Sequence, residues 1–290
     1  MANPIVRQKL QSRQFFVAPG LQDMIAARVA DKVGFEIVYG SGYWLTASAL
    51  GLPDAGIATY TQMLDRMATL VKTTSAAVIA DADTGYGGLL NVHHTVQGYE
   101  AAGVTAIQLE DQEFPKKCGH TPYKRLIPLE DMVQKIKVAV AARQDAENFL
   151  IIARTDARQS EGVDGALRRL EAYAEAGADV LFPEALATED EMRTVCAAFD
   201  TPCLANMADG GLTPILPAKV LEEIGFACAI YPSTTGLAAA AAMEAVLRSL
   251  KDTGVYAEVP LFDFREFCAR NGFQAVWDFE QKWAAKPSGA

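Results

Sequence analysis

Eight short apolar runs, each followed by a stretch of helical period, predict a (β/α)8 TIM barrel. Three observations carry this expectation. The runs are five to seven residues long, the form taken by strands buried on both faces. Several intervening stretches end in a glycine just before the next run, at Gly103, Gly177 and Gly225, where a helix closes in the left-handed conformation. The alternation never breaks, and eight consecutive βα units close into a barrel more readily than they form an open sheet.

Taken in order, the predicted strands are 15–19, 36–40, 77–81, 106–110, 150–156, 180–184, 202–207 and 227–232. The predicted helices are 21–33, 60–72, 92–102, 129–142, 163–176, 189–199, 217–224 and 236–251. No GxGxxG follows the first strand, and the Gly85-Tyr86-Gly87-Gly88 loop lacks the Lys and Ser/Thr of a P-loop, so a nucleotide cradle has no support. The chain reads as one barrel domain over 1–290 with a helical extension at 255–290. That extension carries Phe264, Phe267, Phe273, Trp277, Phe279 and Trp283, more aromatic surface than a ninth helix on a complete barrel needs. It is expected to pack on a neighbouring subunit.

Bulk properties exclude several classes. Among 290 residues, 50% are hydrophobic and 21% charged, a profile with a large core. The net charge is −10 and no Lys/Arg cluster forms, so neither nucleic acid nor a membrane surface is an expected partner. The alanine-rich stretch 237–250 holds Glu244 and Arg248 and is too short to span a bilayer. Residues 1–14 are polar and lack the apolar core of a signal peptide. The five cysteines (118, 196, 203, 228, 268) show no paired spacing. A cytoplasmic protein is expected. An acidic chain that binds an anionic substrate needs a local positive device, either a metal or an arginine.

Barrel chemistry sits at the C-terminal ends of strands. Those ends read Tyr39-Gly40-Ser41-Gly42, Asp81-Ala82-Asp83, Glu110-Asp111, Arg154-Thr155-Asp156, Glu184, Asn206 and Ser233-Thr234-Thr235. Asp81, Asp83 and Glu110 at one mouth would raise one another's pKa unless a hard cation neutralised them. Oxygen donors select magnesium, with manganese as a substitute. His93 and His94 open a helix and read as surface residues, which disfavours zinc. Arg154 offers a planar fork to a substrate carboxylate. In Pro115-Lys116-Lys117-Cys118-Gly119-His120, a thiol between two lysines and a histidine is expected to have a depressed pKa.

With these motifs in the same order, the chain resembles the isocitrate lyase/phosphoenolpyruvate mutase superfamily from about residue 15 to 254. The Lys-Lys-Cys-Gly-His loop at 116–120 looks like the signature of its carbon–carbon lyase branch. Supporting it are Gly51-Leu52-Pro53-Asp54, Asp81-Ala82-Asp83-Thr84-Gly85-Tyr86-Gly87 and Leu204-Ala205-Asn206-Met207. The resemblance implies a barrel whose last helix is exchanged between subunits, usually in a homotetramer. It implies that Asp83 ligates the metal directly while Asp81 and Glu110 hold its waters. Ser41, Gly42 and Arg154 resemble binders of the 2-oxo-acid portion of a small dicarboxylate. Gly119, His120, Glu184 and Asn206 resemble those around the second carboxylate, and Asp54 and Thr234 complete the substrate set.

Cys118 resembles the acid that protonates the departing carbanion, within a catalytic set of Cys118, Tyr39, Lys116 and His120. Tyr39 is the expected base. Methylisocitrate lyases carry an Arg where this chain has Leu237 and a Gly where it has Tyr43, which weakens the case for a tricarboxylate. The 2,3-dimethylmalate lyases and the petal-death enzyme look closer. The implied reaction breaks the C2–C3 bond of a substituted malate, leaving a 2-oxo acid and a carboxylate. Rival readings are oxaloacetate hydrolysis or decarboxylation, carboxyphosphonoenolpyruvate phosphonomutase chemistry, and a catalytically silent barrel acting as a binding protein.

Overall fold

The computed structural model describes residues 2–121, 123–256 and 259–284. Helix α1 (Ile5–Gln11) leads into β1 (Phe16–Leu21), α2 (Met24–Val33), β2 (Ile37–Gly40), α3 (Gly42–Leu50), α4 (Tyr60–Thr73) and β3 (Ala77–Asp81). The chain continues through α5 (Leu89–Ala101), β4 (Ala106–Glu110), α6 (Leu129–Ala142), β5 (Leu150–Thr155), α7 (Arg158–Glu175) and β6 (Val180–Pro183). Then come α8 (Glu189–Ala198), β7 (Leu204–Asn206), α9 (Ala218–Ile224), β8 (Cys228–Tyr231) and α10 (Thr234–Thr253). Helices α11 (Phe264–Arg270) and α12 (Phe273–Trp283) follow.

All eight strands are parallel, in the order β6-β5-β4-β3-β2-β1-β8-β7. A parallel bridge between Leu181 and Cys203, with the Leu181 N–H 2.9 Å from the Pro202 carbonyl, joins the two ends and nearly closes the predicted barrel. Side chains of alternate strand residues fill the inside: Phe16, Ile37, Ile79, Ile152, Phe182 and Ile230 belong to one buried cluster. A second, larger cluster lies between the strands and the helices that cover them.

Two helices go beyond the expected set. Helix α1 falls in the stretch read as merely polar, yet Val6 is buried in the inner-barrel cluster with Ile5 and Leu10 against it. Arg7 ties the helix to the N-terminal side of the barrel through Asp179 at 2.7 Å and the Glu147 carbonyl. Helix α3 starts at the mouth immediately after β2 and buries Gly42, Leu45 and Thr46. Helix α7 starts earlier than the periodicity indicates because it turns at Gly162 (φ 73°), and only the part beyond that glycine follows the predicted pattern. The chain divides into two compact units, residues 1–237 with the barrel and residues 238–290. No helix of the described residues is long and apolar enough to cross a membrane.

Candidate active site

A cavity of about 340 Å³ opens at the C-terminal ends of the strands. It is lined by Tyr39, Ser41, Asp54, Asp81, Glu110, Lys116, Cys118, Gly119, His120, Arg154, Glu184 and Asn206, residues far apart in sequence. Asp83 and Gly42 stand just behind this lining, Asp83 through Lys116 and Gly42 through a backbone N–H 3.3 Å from Asp81 Oδ2. Thr234 is not on the lining: its exposed hydroxyl donates to Asp209, and Ser233 is the hydroxyl that faces the cavity. Tyr43, Trp44, Ile230, Pro232 and Leu237 add a largely apolar part to the lining.

The floor is acidic. Asp81 Oδ1 accepts the Asp83 backbone N–H at 3.0 Å, and Asp83 holds the left-handed conformation (φ 50°), uncommon for a residue with a side chain. A Cβ at Gly42 would lie 2.6 Å from Asp81 Oδ2, so only glycine lets α3 begin this close to that carboxylate. Buried Lys116 bridges Asp54 at 2.5 Å and Asp83 at 2.7 Å. Burial lifts the Asp83 carboxyl to about 7, against the pull of Lys116 and with a push from Asp81 and Asp54. Burial likewise raises Glu110 well above the ordinary carboxylate range, opposed by Arg154 and Lys116.

These residues fit a hard cation. Around the mouth, six buried carboxylates (54, 81, 83, 110, 156, 184) meet three buried cations (Lys116, Lys124, Arg154), leaving negative charge in excess among the described residues. Glu110 Oε1 is buried with no hydrogen-bond partner among the described residues. Among the described residues, no group of three or more His, Cys, Asp or Glu side chains already closes on one point. Magnesium, which keeps several waters and uses one or two protein carboxylates, does not require such a cage.

The next wall is organised by Arg154. Its Nε and Nη2 reach Asp156 Oδ2 and Oδ1 at 2.9 and 3.1 Å, and Nη2 lies 3.0 Å from Glu184 Oε2. Burial works against the Asp156 anion, but Arg154 and Lys124 outweigh it and lower its pKa to about 2. Glu184 accepts from Asn206 Nδ2 at 3.0 Å, and His120 Nε2 is 3.4 Å from its other oxygen. Because His120 Nδ1 accepts the Leu212 N–H at 3.4 Å, the proton of a neutral imidazole belongs on Nε2, facing Glu184. A Cβ at Gly119 would fall 2.1 Å from Arg154 Nη2, so the loop backbone rests directly against the guanidinium.

One expectation needs correction. Lys116 and Lys117 flank Cys118 in sequence but do not serve it. Lys116 is held by carboxylates, and Lys117 donates to the Tyr123 carbonyl at 3.2 Å. Burial therefore raises the Cys118 thiol above its ordinary 9.0, with the His120 N–H a smaller opposing influence. The group is a thiol, not a thiolate. Burial, then Asp81, push the Tyr39 phenol well above 10, and its hydroxyl donates to Gln108 Oε1 at 2.7 Å. In this arrangement the phenol is a hydrogen-bond donor to Gln108.

Trp44, Asp209 and Lys124 escaped the sequence reading. Trp44 follows Tyr43 in a helix that was not expected, and Asp209 lies beyond the end of β7. Lys124 sits in a mixed polar loop, where nothing but its distance of six residues from Cys118 could have marked it.

The phosphoenolpyruvate phosphomutase family profile matches residues 6–251. A 2,3-dimethylmalate lyase of Eubacterium barkeri is 42% identical over 281 residues, 96% of this chain and 97% of that protein. A 2-methylisocitrate lyase of Halalkalibacterium halodurans is 46% identical over 248 residues, 86% of this chain and 81% of that protein. A structure of oxaloacetate acetylhydrolase in complex with the inhibitor 3,3-difluorooxalacetate superposes with a TM-score of 0.91 at 33% identity, covering 97% of each chain. With its barrel, its acidic mouth and the Cys-Gly-His loop folded against Arg154, the chain belongs to the phosphoenolpyruvate mutase/isocitrate lyase superfamily.

Proposed function

We propose that this protein is a magnesium-dependent carbon–carbon lyase cleaving an alkyl-substituted malate, of the 2,3-dimethylmalate or 2-methylisocitrate type, into a 2-oxo acid and a carboxylate. The observation that carries the reading is the half-buried Cys118 thiol, kept protonated by its surroundings and facing the same cavity as Arg154 and the acidic floor. Asp83 would hold the cation, with Asp81 and Glu110 beside it, and manganese as a substitute. Such a cation, when bound, neutralises the floor and lowers the pKa of a substrate hydroxyl.

Ser41, the Gly42 backbone and Arg154 bind and orient the part of the substrate that becomes the 2-oxo acid. Tyr39, ionised once the floor is neutralised, would take the proton of the substrate's 2-hydroxyl. That oxygen becomes the carbonyl of the 2-oxo acid, the C2–C3 bond breaks, and its electron pair carries negative charge onto the second fragment. His120, Asn206 and the Gly119 backbone would stabilise that charge, with His120 and Asn206 both held by Glu184. Lys116 keeps Asp54 and Asp83 in place. Cys118 then delivers its proton to carbon, which an uncharged thiol can do and a thiolate cannot.

The largely apolar wall of Tyr43, Trp44, Ile230 and Leu237 suits alkyl substituents and carries no arginine for a third carboxylate, which favours the 2,3-dimethylmalate over the 2-methylisocitrate type. The barrel is proposed to work as a homotetramer in which the aromatic C-terminal segment covers a neighbouring subunit. Five free cysteines suit a reducing, cytoplasmic setting.

The test is an assay of purified protein with magnesium against 2- and 3-alkyl malates, 2-methylisocitrate and oxaloacetate, with both products identified. Cleavage of alkyl malates to a 2-oxo acid and a carboxylate is expected. Turnover of oxaloacetate alone would overturn the lyase reading in favour of hydrolysis or decarboxylation.

A further inference from the structure

We propose that Lys124 is a positioning residue that fastens the Cys118 loop to the substrate-binding arginine through the single carboxylate of Asp156. The proposal rests on the lyase reading for its kinetic consequences and on geometry alone for its structural ones. Lys124 Nζ lies 2.7 Å from Asp156 Oδ1, with its side chain 6% exposed, and it also donates to the Gly119 carbonyl. Asp156 is fully buried, and its backbone N–H is fixed by Asp111 at 2.9 Å. Oδ1 thus receives both Lys124 and Arg154 Nη2, while Oδ2 receives Arg154 Nε.

The loop has other fastenings, but they act elsewhere or at longer range. The Gln112 side chain brackets the Lys117 backbone at 2.8 and 3.0 Å, ahead of the thiol. The Thr121 hydroxyl bonds the Cys118 carbonyl at 2.7 Å, within the loop itself. His120 reaches Glu184 and Leu212 only at 3.4 Å. Lys124 is the charged tie between the Cys118–Gly119–His120 segment and the barrel wall, and it ends on the carboxylate that aims Arg154. Thiol position and substrate grip therefore share one anchor. Hydrogen bonds to charged groups are the strong ones among those in proteins, so losing this one frees the loop without touching the core.

The test uses the full-length protein and Lys124→Met, with iodoacetamide labelling followed residue by residue by mass spectrometry in the absence of substrate. Cys196 and Cys268, both half-buried, serve as internal references. Lys124→Met should raise the Cys118 labelling rate roughly tenfold to a hundredfold while leaving the reference rates unchanged. On the substrate that the wild type turns over, kcat should fall by a similar factor with KM little altered. Lys124→Arg, which keeps a buried cation at this place, should restore most of both. If Lys124→Met does not fold, Lys124→Gln carries the same comparison.

An unchanged Cys118 labelling rate overturns the proposal, and so does a rise at all three cysteines, which would mean general loosening. A wild type without lyase turnover would sink the proposed function but leave the labelling result readable.

Discussion

Cys118 and Asp83 carry the sharpest residue-scale expectations. Cys118→Ser keeps nearly the same volume but replaces a thiol with a far weaker acid. Turnover should fall about 10²–10⁴-fold, the usual worth of general acid help, with KM little changed. Steady-state kinetics on the best alkyl malate check this, and a variant losing affinity instead would make the residue a binding group. The sign of the pH dependence follows from burial: the protonated form is competent and its pKa is raised. Activity limited by this proton should therefore hold through neutral pH and decline only above the ordinary thiol value. Asp83 gives the opposite edge. With its carboxyl lifted to about 7, protons compete for the site below that pH, so the magnesium concentration for half-maximal activity should rise as pH falls from 8 to 6. A half-saturation independent of pH there would remove Asp83 from the metal site. The residue types of this mouth were legible in the sequence because strand ends announce them. Their states were not. Lys116 and Lys117 neighbour Cys118 along the chain, yet the side chains turn to Asp54, Asp83 and the Tyr123 carbonyl. Adjacency in sequence carries no such direction.

Asp111 illustrates how the strands impose roles on consecutive residues. It follows Glu110 at the end of β4, but Glu110 lines the cavity and Asp111 points away from it. Asp111 accepts from the Thr155 hydroxyl at 2.6 Å, the Asp156 N–H at 2.9 Å, the Tyr173 hydroxyl at 2.8 Å and Arg169 at 3.4 Å. It thereby pins the end of β5 to helix α7. Asp111→Asn should cost about 3 kcal/mol, the scale of breaking one partner out of a buried charged network. Urea unfolding should show this loss even with magnesium present, whereas Asp83→Ala should abolish turnover with little loss of stability. Swapped outcomes would exchange the structural and functional roles of the two carboxylates. The eight strands were legible because buried parallel strands read as continuous apolar runs, and the observed ends differ from the predicted ones by no more than two residues. Helices α1 and α3 were not. Helix α1 exposes its signal through Ile5, Val6 and Leu10 only, in a polar stretch. Helix α3 carries no charged residue and so has no amphipathic contrast to detect.

At the scale of the whole molecule, the C-terminal helices, taken by themselves, carry an aromatic surface that the proposed homotetramer would cover. Neither α11 nor α12 buries a single residue. Phe264 is 76% exposed, Trp283 66%, Phe279 63% and Trp277 51%, with Phe273 also open. Five such aromatic side chains offer on the order of 150 Å² each, roughly the 800 Å² that one partner contributes to a standard interface. Scattered apolar residues are ordinary on a surface, and a patch this large is what the proposed subunit contact would cover. The pattern along α12 supports the same reading: Phe273 stacks towards Trp277, and Phe279 towards Trp283, each pair one helical turn apart. Replacing Phe273 and Trp277 together with Glu would place two charges in the proposed interface, where desolvation without a partner is costly. Light scattering should then report a species near the 31.2 kDa of one chain where the unmodified protein gives a multiple of it. Far-ultraviolet dichroism should stay unchanged, because the barrel core of residues 1–237 contains neither position. If the unmodified protein already runs as a single chain, subunit packing is not what covers these aromatics. If the double variant keeps the larger mass, association rests on a different surface, and the aromatic segment must find its cover within its own chain.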